Sequence, residues 1–393
     1  MALGVGAYLY FMRARSGAIS SIAVLPFANA NNNPDTEYLS DGISESLINS
    51  LSQLPGVKVI ARSSSFHYKG KEVDPGTIAK ALGVEAILTG RVTQRGDNLL
   101  ISVEMMDARD KTHVWGEQYN RKAADILQIQ SEISREVAEN LRLRLTAGEQ
   151  QRISKRETAN PQAYELFLKG RFYDNKGGTE DKKKAVEYYR EAIVTDSAYA
   201  PAYAALSLTL NDLVGYSLLD PKDTMPKAEA AARKALELEE TLDEGHLALA
   251  YLKTSAWSWE EAEREFKRAL ELNPNHAWAH AVYSGYLSNM GRHEQAIAMM
   301  KRSRELSPLS LTTIAEHGFA LSKARQYDQA IQVLNEAVEL DKNFHLAHTY
   351  LGLTYAAKGM FAEAIAEYEQ GSRLGVDTPG MQIYLAAAYA QVG

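Results

Sequence analysis

Apolar positions along the chain follow two regimes, a mixed one up to about residue 150 and a purely helical one from Ala163 onward. Ile22 to Phe27 (Ile-Ala-Val-Leu-Pro-Phe) is a continuous apolar run, the pattern of a strand covered on both faces. Leu39, Ile43, Leu47, Ile48, Leu51 and Leu54 then fall at helical spacing and predict an amphipathic helix, stopped by Pro55-Gly56. Val57 to Ala61 predicts a second strand. Asp74-Pro75 supplies an N-cap and a first-turn proline for a short helix through Leu82, which Gly83 closes. Ala86–Arg95 and Leu99–Met106 flank the hairpin signal Gly96-Asp97-Asn98, and Thr112–Tyr119 follows the polar turn at Arg109-Asp110. Three adjacent strands thus complete a mixed sheet. Ile126, Ile129, Ile133, Val137, Leu141 and Leu145 mark one face of a long helix expected to end at Gly148.

From Ala163 the chain repeats. Placing Gly291, Gly359 and Gly393 at one position and Ala262, Ala296, Ala330 and Ala364 at another gives units starting at Asp243, Ala277, Leu311, His345 and Pro379, each 34 residues after the last. Read as two helices per unit, the first helix (A) carries a small residue at Ala250, Ser284, Gly318, Gly352 and Ala386. The second (B) carries the large partners Phe266, Met300, Leu334 and Tyr368, with Ala269, Ser303, Ala337 and Gly371 one turn on. Two longer units precede them, Ala163–Tyr199 and Ala200–Leu242, with their extra residues expected in the A–B loops at Lys176–Thr179 and Gly215–Asp223. The seventh unit stops at Gly393 after one helix, so the chain reads as a piece of a longer protein.

This period resembles that of the tetratricopeptide family, whose members are scaffolds that bind other proteins. The runs IAVLPF, LSDGISESLINSLSQLPGVKVIARSSSFHYKGK, ALGVEAILTGRVTQRGDNLLISVEMMDA and VWGEQYNR resemble the TolB-type amino-terminal α/β domain of bacterial multidomain proteins, over about residues 20–145. That resemblance implies a non-catalytic module, set after a transmembrane helix, downstream of a protein kinase, adenylate cyclase or winged-helix regulator, and before tetratricopeptide repeats. The fold class expected is therefore an α/β domain with a mixed sheet (20–145), a linker (146–162) and an all-α solenoid (163–393) of about six full repeats and one truncated.

Ala2 to Met12 is uncharged and apolar, and Arg13 and Arg15 follow it. Eleven residues reach about 16 Å as a helix, short of the roughly 30 Å of a bilayer core. Residues 1–17 are read as the end of a transmembrane or anchor helix, with an ordinary buried N-terminal helix as the alternative. The two arginines stand on the side that the family would place outside the cytoplasm, against the positive-inside tendency.

With 393 residues, 45% hydrophobic and 24% charged, the chain can bury a core, which excludes wholesale disorder. It has no cysteine, so disulfide frameworks, thiolate zinc sites and cysteine nucleophiles are excluded together, while the redox compartment stays undecided. Residues 1–160 hold 19 Lys and Arg against 18 Asp and Glu, and the remainder 24 against 32. Neither part offers the concentrated basic face that phosphates need, so nucleic acid is not an expected partner.

Catalytic motifs are absent: there is no phosphate-binding loop, dinucleotide fingerprint, kinase catalytic loop or nucleophile elbow. His276/His280 and His345/His348 have metal-compatible spacing but no third ligand, and are read as packing residues, as are Trp257 and Trp259 at an A–B turn. Lys182-Lys183-Lys184 reads as a solvated face. Arg62-Ser63-Ser64-Ser65, after a strand end, is the one stretch suited to cradling an anion. No enzyme activity, cofactor or metal is expected of these residues.

In a tetratricopeptide unit helix A lines the concave groove. Its outward positions are the second, fifth, ninth, twelfth and thirteenth, and they select Arg171, Asp174, Asn175, Asn211, Asp212, Tyr251, Thr254, Trp278, Ser288, Asn289, Phe319 and Lys323 as the protein-binding set. The expected function is scaffolding or sensing within a membrane-anchored bacterial signalling protein, through a peptide or protein held in the groove. The alternative is the regulatory region of a kinase or adenylate cyclase whose catalytic domain lies upstream. A homo-oligomer is compatible with either. The soluble part is expected in the periplasm or another extracytoplasmic space, with a cytoplasmic position left open.

Overall fold

The computed structural model describes residues 19–141, 143, 145–153, 157–374 and 379–392. The expected anchor at 1–17 lies outside them, and no described helix is long and apolar enough to cross a membrane.

The first domain contains β1 (Ser21–Val24), β2 (Ala28–Asn29), α1 (Glu37–Ser52), β3 (Lys58–Val59), α2 (Arg62–Ser65), α3 (Pro75–Leu82), β4 (Ala86–Arg95), β5 (Asn98–Asp107), β6 (Thr112–Lys122), α4 (Ile126–Asn140) and α5 (Ala147–Ile153). The sheet order is β3-β1-β4-β5-β6, with β2 also pairing β4. Strands β3, β1 and β4 run parallel, while β4, β5 and β6 form an antiparallel meander. Ile22, Ala23 and Val24 are wholly buried, as a continuously apolar central strand should be. The strand ends at Val24 rather than Phe27, because Pro26 has no N–H to donate to a ladder. Phe27 then turns back over Gly90, where a Cβ would meet its ring at 2.5 Å.

Local punctuation behaves as read. Asp74 caps α3 by accepting from the Thr77 N–H, Gly83 closes it at φ +63°, and Gly96-Asp97 forms the β4–β5 turn between paired Arg95 and Asn98. The long helix does not reach Gly148. It ends at Asn140, and Thr146 and Glu149 form a reciprocal capping box that starts α5 with Gly148 in its first turn.

The helical pairs are α6 (Pro161–Asp174) with α7 (Thr179–Thr195), α8 (Ala200–Gly215) with α9 (Pro221–Leu238), α10 (Asp243–Ser255) with α11 (Trp259–Leu272), α12 (Ala277–Asn289) with α13 (His293–Leu306), α14 (Leu311–Lys323) with α15 (Tyr327–Leu340), and α16 (His345–Lys358) with α17 (Phe361–Arg373), followed by α18 (Pro379–Val392). The five A helices from α10 onward start at the residues the period selects. In the second pair the extra residues lengthen both helices and leave a turn of 216–220 only, so they do not form the long loop expected.

The chain divides into two compact units, one of residues 1–60 and 68–202, the other of 61–67 and 203–393. The boundary expected at residue 163 is therefore displaced, and the first helical pair belongs with the α/β domain. Gly42 on α1 admits Leu168 of α6, which a Cβ there would meet at 2.8 Å. The buried Tyr164 hydroxyl donates to Gln130 Oε1 at 2.6 Å and lies 2.8 Å from Ser46 Oγ. Within the second unit, α2 is a helical turn rather than an open anion loop: the Ser63 and Ser307 hydroxyls are 2.5 Å apart, and the Leu309 N–H donates to Ser64 Oγ.

Each A–B turn from α10 onward needs one residue in the left-handed region, at Trp257 (φ 60°), Gly291 (72°), Arg325 (60°) and Gly359 (84°). Trp257 does not pack into its turn as expected; it is 76% exposed, with its ring edge-on to Trp259 at 5.3 Å. A side chain at positive φ costs about 1 kcal/mol, which glycine avoids. Arg325→Gly should therefore raise the free energy of unfolding by about 0.5–1 kcal/mol in urea titrations, and a decrease would mean that the arginine side chain contributes more than its backbone costs.

Candidate functional site

The residues selected at the outward positions separate into three groups. In the first unit, Arg171 Nε and Asn175 Nδ2 donate to the two oxygens of Glu45 at 2.7 and 2.8 Å, and Asp174 accepts from Lys182 Nζ at 3.0 Å. These three serve the junction between α1 and α6 and the first helical pair itself, in place of the open groove expected of them. Glu45 and Arg171 form a largely buried pair, whose one-sided removal would cost about 3 kcal/mol.

A second group lies along α8, α10 and α12. Asn211 is buried and Asp212 partly so. Thr254 turns its hydroxyl back to the Ala250 carbonyl at 2.8 Å. Tyr251 and Trp278 meet edge-to-face at 6.1 Å.

The third group is brought together. Ser288, Asn289, Phe319 and Lys323 line one groove of about 90 Å³ between α12 and α14. Lys323 Nζ donates to Asn289 Oδ1 at 2.9 Å and sits 4.9 Å over the Phe319 ring. Phe319 stacks on Tyr350 at 4.3 Å with the rings 7° from parallel. The Tyr350 hydroxyl donates to Glu316 Oε1 at 2.9 Å, and Glu316 also lines the groove. Burial raises the Glu316 carboxyl above its ordinary value, against the Tyr350 hydrogen bond and the nearby Lys323 charge, which lower it. Burial lowers the Lys323 ammonium, an effect that Glu316 opposes.

Glu316, Tyr350 and Gly285 were not among the selected residues. Glu316 and Tyr350 occupy the sixth position of consecutive repeats, which elsewhere packs with Ala248 and Val282. The signal was the period itself: residues 34 apart on adjacent A helices touch, as Glu316 touches Tyr350 and Asn289 touches Lys323.

Three histidines at the fourth position of helix A, His280 and His348 of the two pairs among them, are held by hydrogen bonds through their ring nitrogens. His246 bonds Glu265 at 2.6 Å and the Glu240 carbonyl at 2.8 Å, and His348 repeats the arrangement with Glu367 and Lys342. His280 keeps the carbonyl bond, to Pro274, but has no carboxylate partner, since Met299 stands 19 residues on.

Six helical pairs among the described residues, the last four on a 34-residue period, with close A–B contacts and an A-helix groove, define a tetratricopeptide solenoid joined to a mixed-sheet α/β domain. Residues 18–136 match the family model of the HilA/YgeH-like transcriptional regulator, second domain, and residues 323–359 match that of the TPR repeat. The TolB-type resemblance of the first domain rests on its sequence runs alone. Among curated proteins the chain is similar to "Putative adenylate cyclase 3" of Rhizobium meliloti (strain 1021), 34% identical over 244 residues, which is 62% of this chain and 42% of that protein. The chain thus spans less than half the length of this relative. Similar solved structures include YrrB, described as a TPR protein with an unusual peptide-binding site (19% identity, TM-score 0.36, 52% of this chain and 99% of that one). Others are the APC/C hetero-tetramer Cut9–Hcn1 (19%, 0.48, 67% and 49%) and PilF of Pseudomonas aeruginosa (20%, 0.39, 50% and 86%). These likenesses add nothing to the fold read from the helices.

Burial holds both His280 and His317 down to about 4, from an ordinary 6.5. The unfolded chain therefore takes up these protons first, and stability falls as pH drops below about 6.5, the loss levelling off below about 4. Each contributes up to about 3 kcal/mol. His246, raised by Glu265 and the Glu240 carbonyl against its burial, has the opposite sign: its contribution is full below 6.5 and fades as pH rises through the elevated value. His280→Leu should remove about 2–3 kcal/mol of the destabilisation measured by denaturant titration between pH 7 and pH 4. An unchanged acid loss would place its origin elsewhere.

Proposed function

We propose that this chain binds an extended segment of another protein along the A helices of its second unit, centred on the groove between α12 and α14. The observation that carries this reading is the groove's lining. An aromatic ring backed by Tyr350, an ammonium, an amide and a carboxylate open on one face of regularly spaced helices, which suits side-chain anchors plus hydrogen bonds to a peptide backbone. A photo-crosslinking residue at Ser288 should capture a defined partner that the same residue at Arg268, on exposed α11, does not capture. Equal capture at both positions removes the groove from this reading.

In the same proposal the chain is a non-catalytic, scaffolding or sensory part of a larger bacterial signalling protein, anchored to a membrane by residues 1–17. A variant starting at residue 18 should remain in the supernatant after ultracentrifugation with membranes, and its sedimentation would remove the anchor. A second reading, a regulatory region acting on an adenylate cyclase or kinase domain encoded upstream, is favoured by the name of the curated relative, 42% of which the match covers. The upstream coding sequence decides between them.

A further inference from the structure

Two adjacent positions on α12 line the groove, the first, Ser284, as its buried floor. The Ser284 hydroxyl donates to the Ala296 carbonyl, on the packed side of the helix pair. At Gly285, one residue on, an added Cβ would meet nothing within 4 Å, and this residue lines the groove. The ninth position on the flanking A helices is aromatic, Tyr251 on α10 and Phe319 on α14. Gly285 therefore opens a notch beside Phe319.

The notch contains a carboxylate with incomplete partners. Glu316 Oε1 accepts from Tyr350, and no described residue donates to Oε2 or forms an ion pair with Glu316. Lys323, the cation nearest in sequence register, is held by Asn289 and the Phe319 ring instead. A volume of about 90 Å³ takes the end of one long side chain. It falls well short of the several hundred Å³ of cofactor and small-molecule sites.

We propose that this notch receives one basic side chain, lysine or arginine, of the bound segment, with Glu316 as counter-ion and Phe319 as aromatic wall. The inference rests on the groove reading above and specifies its ligand. An apolar side chain would bury Glu316 Oε2 with no donor, and an acidic one would set two carboxylates together. A basic group supplies the donor that Oε2 lacks and adds to the charge that Lys323 already sets near it, and its apolar stem lies against Phe319.

The test uses the full chain and a capped twelve-residue Ser/Thr/Val peptide with its central residue set to Arg, Lys, citrulline, norleucine or Glu, titrated calorimetrically. The Arg and Lys peptides should bind about tenfold or more tightly than citrulline and norleucine. Glu316→Gln, which keeps the Tyr350 hydrogen bond, should erase that difference. Gly285→Leu, which fills the notch without touching the core, should abolish binding of every peptide, and thermal melts of both variants establish that they fold. If citrulline or Glu peptides bind as well as Arg, or the Arg preference survives Glu316→Gln, while Gly285→Leu still blocks, the groove stands and the basic anchor is overturned. If no peptide binds, or Gly285→Leu binds them all as the parent does, the groove reading falls and this inference with it.

Discussion

How closely helix A can approach helix B decides the geometry of every repeat. The contact is made at the eighth position of helix A, where the chain places a residue with little or no side chain against a bulky one on helix B. A Cβ at Gly352 would lie 2.5 Å from the Tyr368 ring, one at Gly318 would lie 2.5 Å from Leu334, and one at Gly170 would lie 2.4 Å from Tyr189. Where the small residue is Ala250 the partner is Phe266, and where it is Ser284 the partner is Met300. Small and large are thus matched pair by pair, as close packing requires. Once the A–B distance is set, residues 34 apart fall beside each other on successive A helices, and the groove follows from that.

This dependence explains what could be read from the sequence. The starts of α10, α12, α14, α16 and α18, the caps of α3 and the β4–β5 turn are local or periodic features, so residue spacing alone reveals them. The junction between α1 and α6 has no period. Gly42 with Leu168, Tyr164 with Gln130 and Ser46, and Glu45 with Arg171 join positions far apart in the chain, and each looks unremarkable in its own helix. Arg171 and Asn175 consequently read as groove residues, although Glu45 already engages them. The Thr146–Glu149 capping box was local and legible, yet the apolar face running on to Leu145 pointed to a longer helix.

The groove was half legible for a related reason. Register alone brings Ser288, Asn289, Phe319 and Lys323 together, because it states which positions of helix A look outward. It does not state when an inward-leaning position changes use. The sixth position packs with Ala248 and Val282 in two repeats; in the next it is Glu316, which lines the groove, and then Tyr350, which hydrogen-bonds that carboxylate from the following helix A. Only the three-dimensional pairing distinguishes these uses.

Two carboxylates show how differently the chain treats buried charge. Glu45 is enclosed and fully answered, by Arg171 and by Asn175, and the pair holds a helix junction in register. Glu316 is partly enclosed and answered once, by a neutral hydroxyl. An unanswered carboxylate is costly to retain in a low-dielectric setting, and the packing around it does not need it: the sixth position accepts alanine or valine in neighbouring repeats. Turning one residue along α12, from Ser284 to Gly285, rotates the side chain by about 100° and moves from the groove's buried floor to open space. Packing and the proposed recognition would therefore fall on separate, interleaved positions of the same helix. On α12 the eighth position is constrained by the facing helix B, while an added Cβ at the ninth, Gly285, meets nothing within 4 Å.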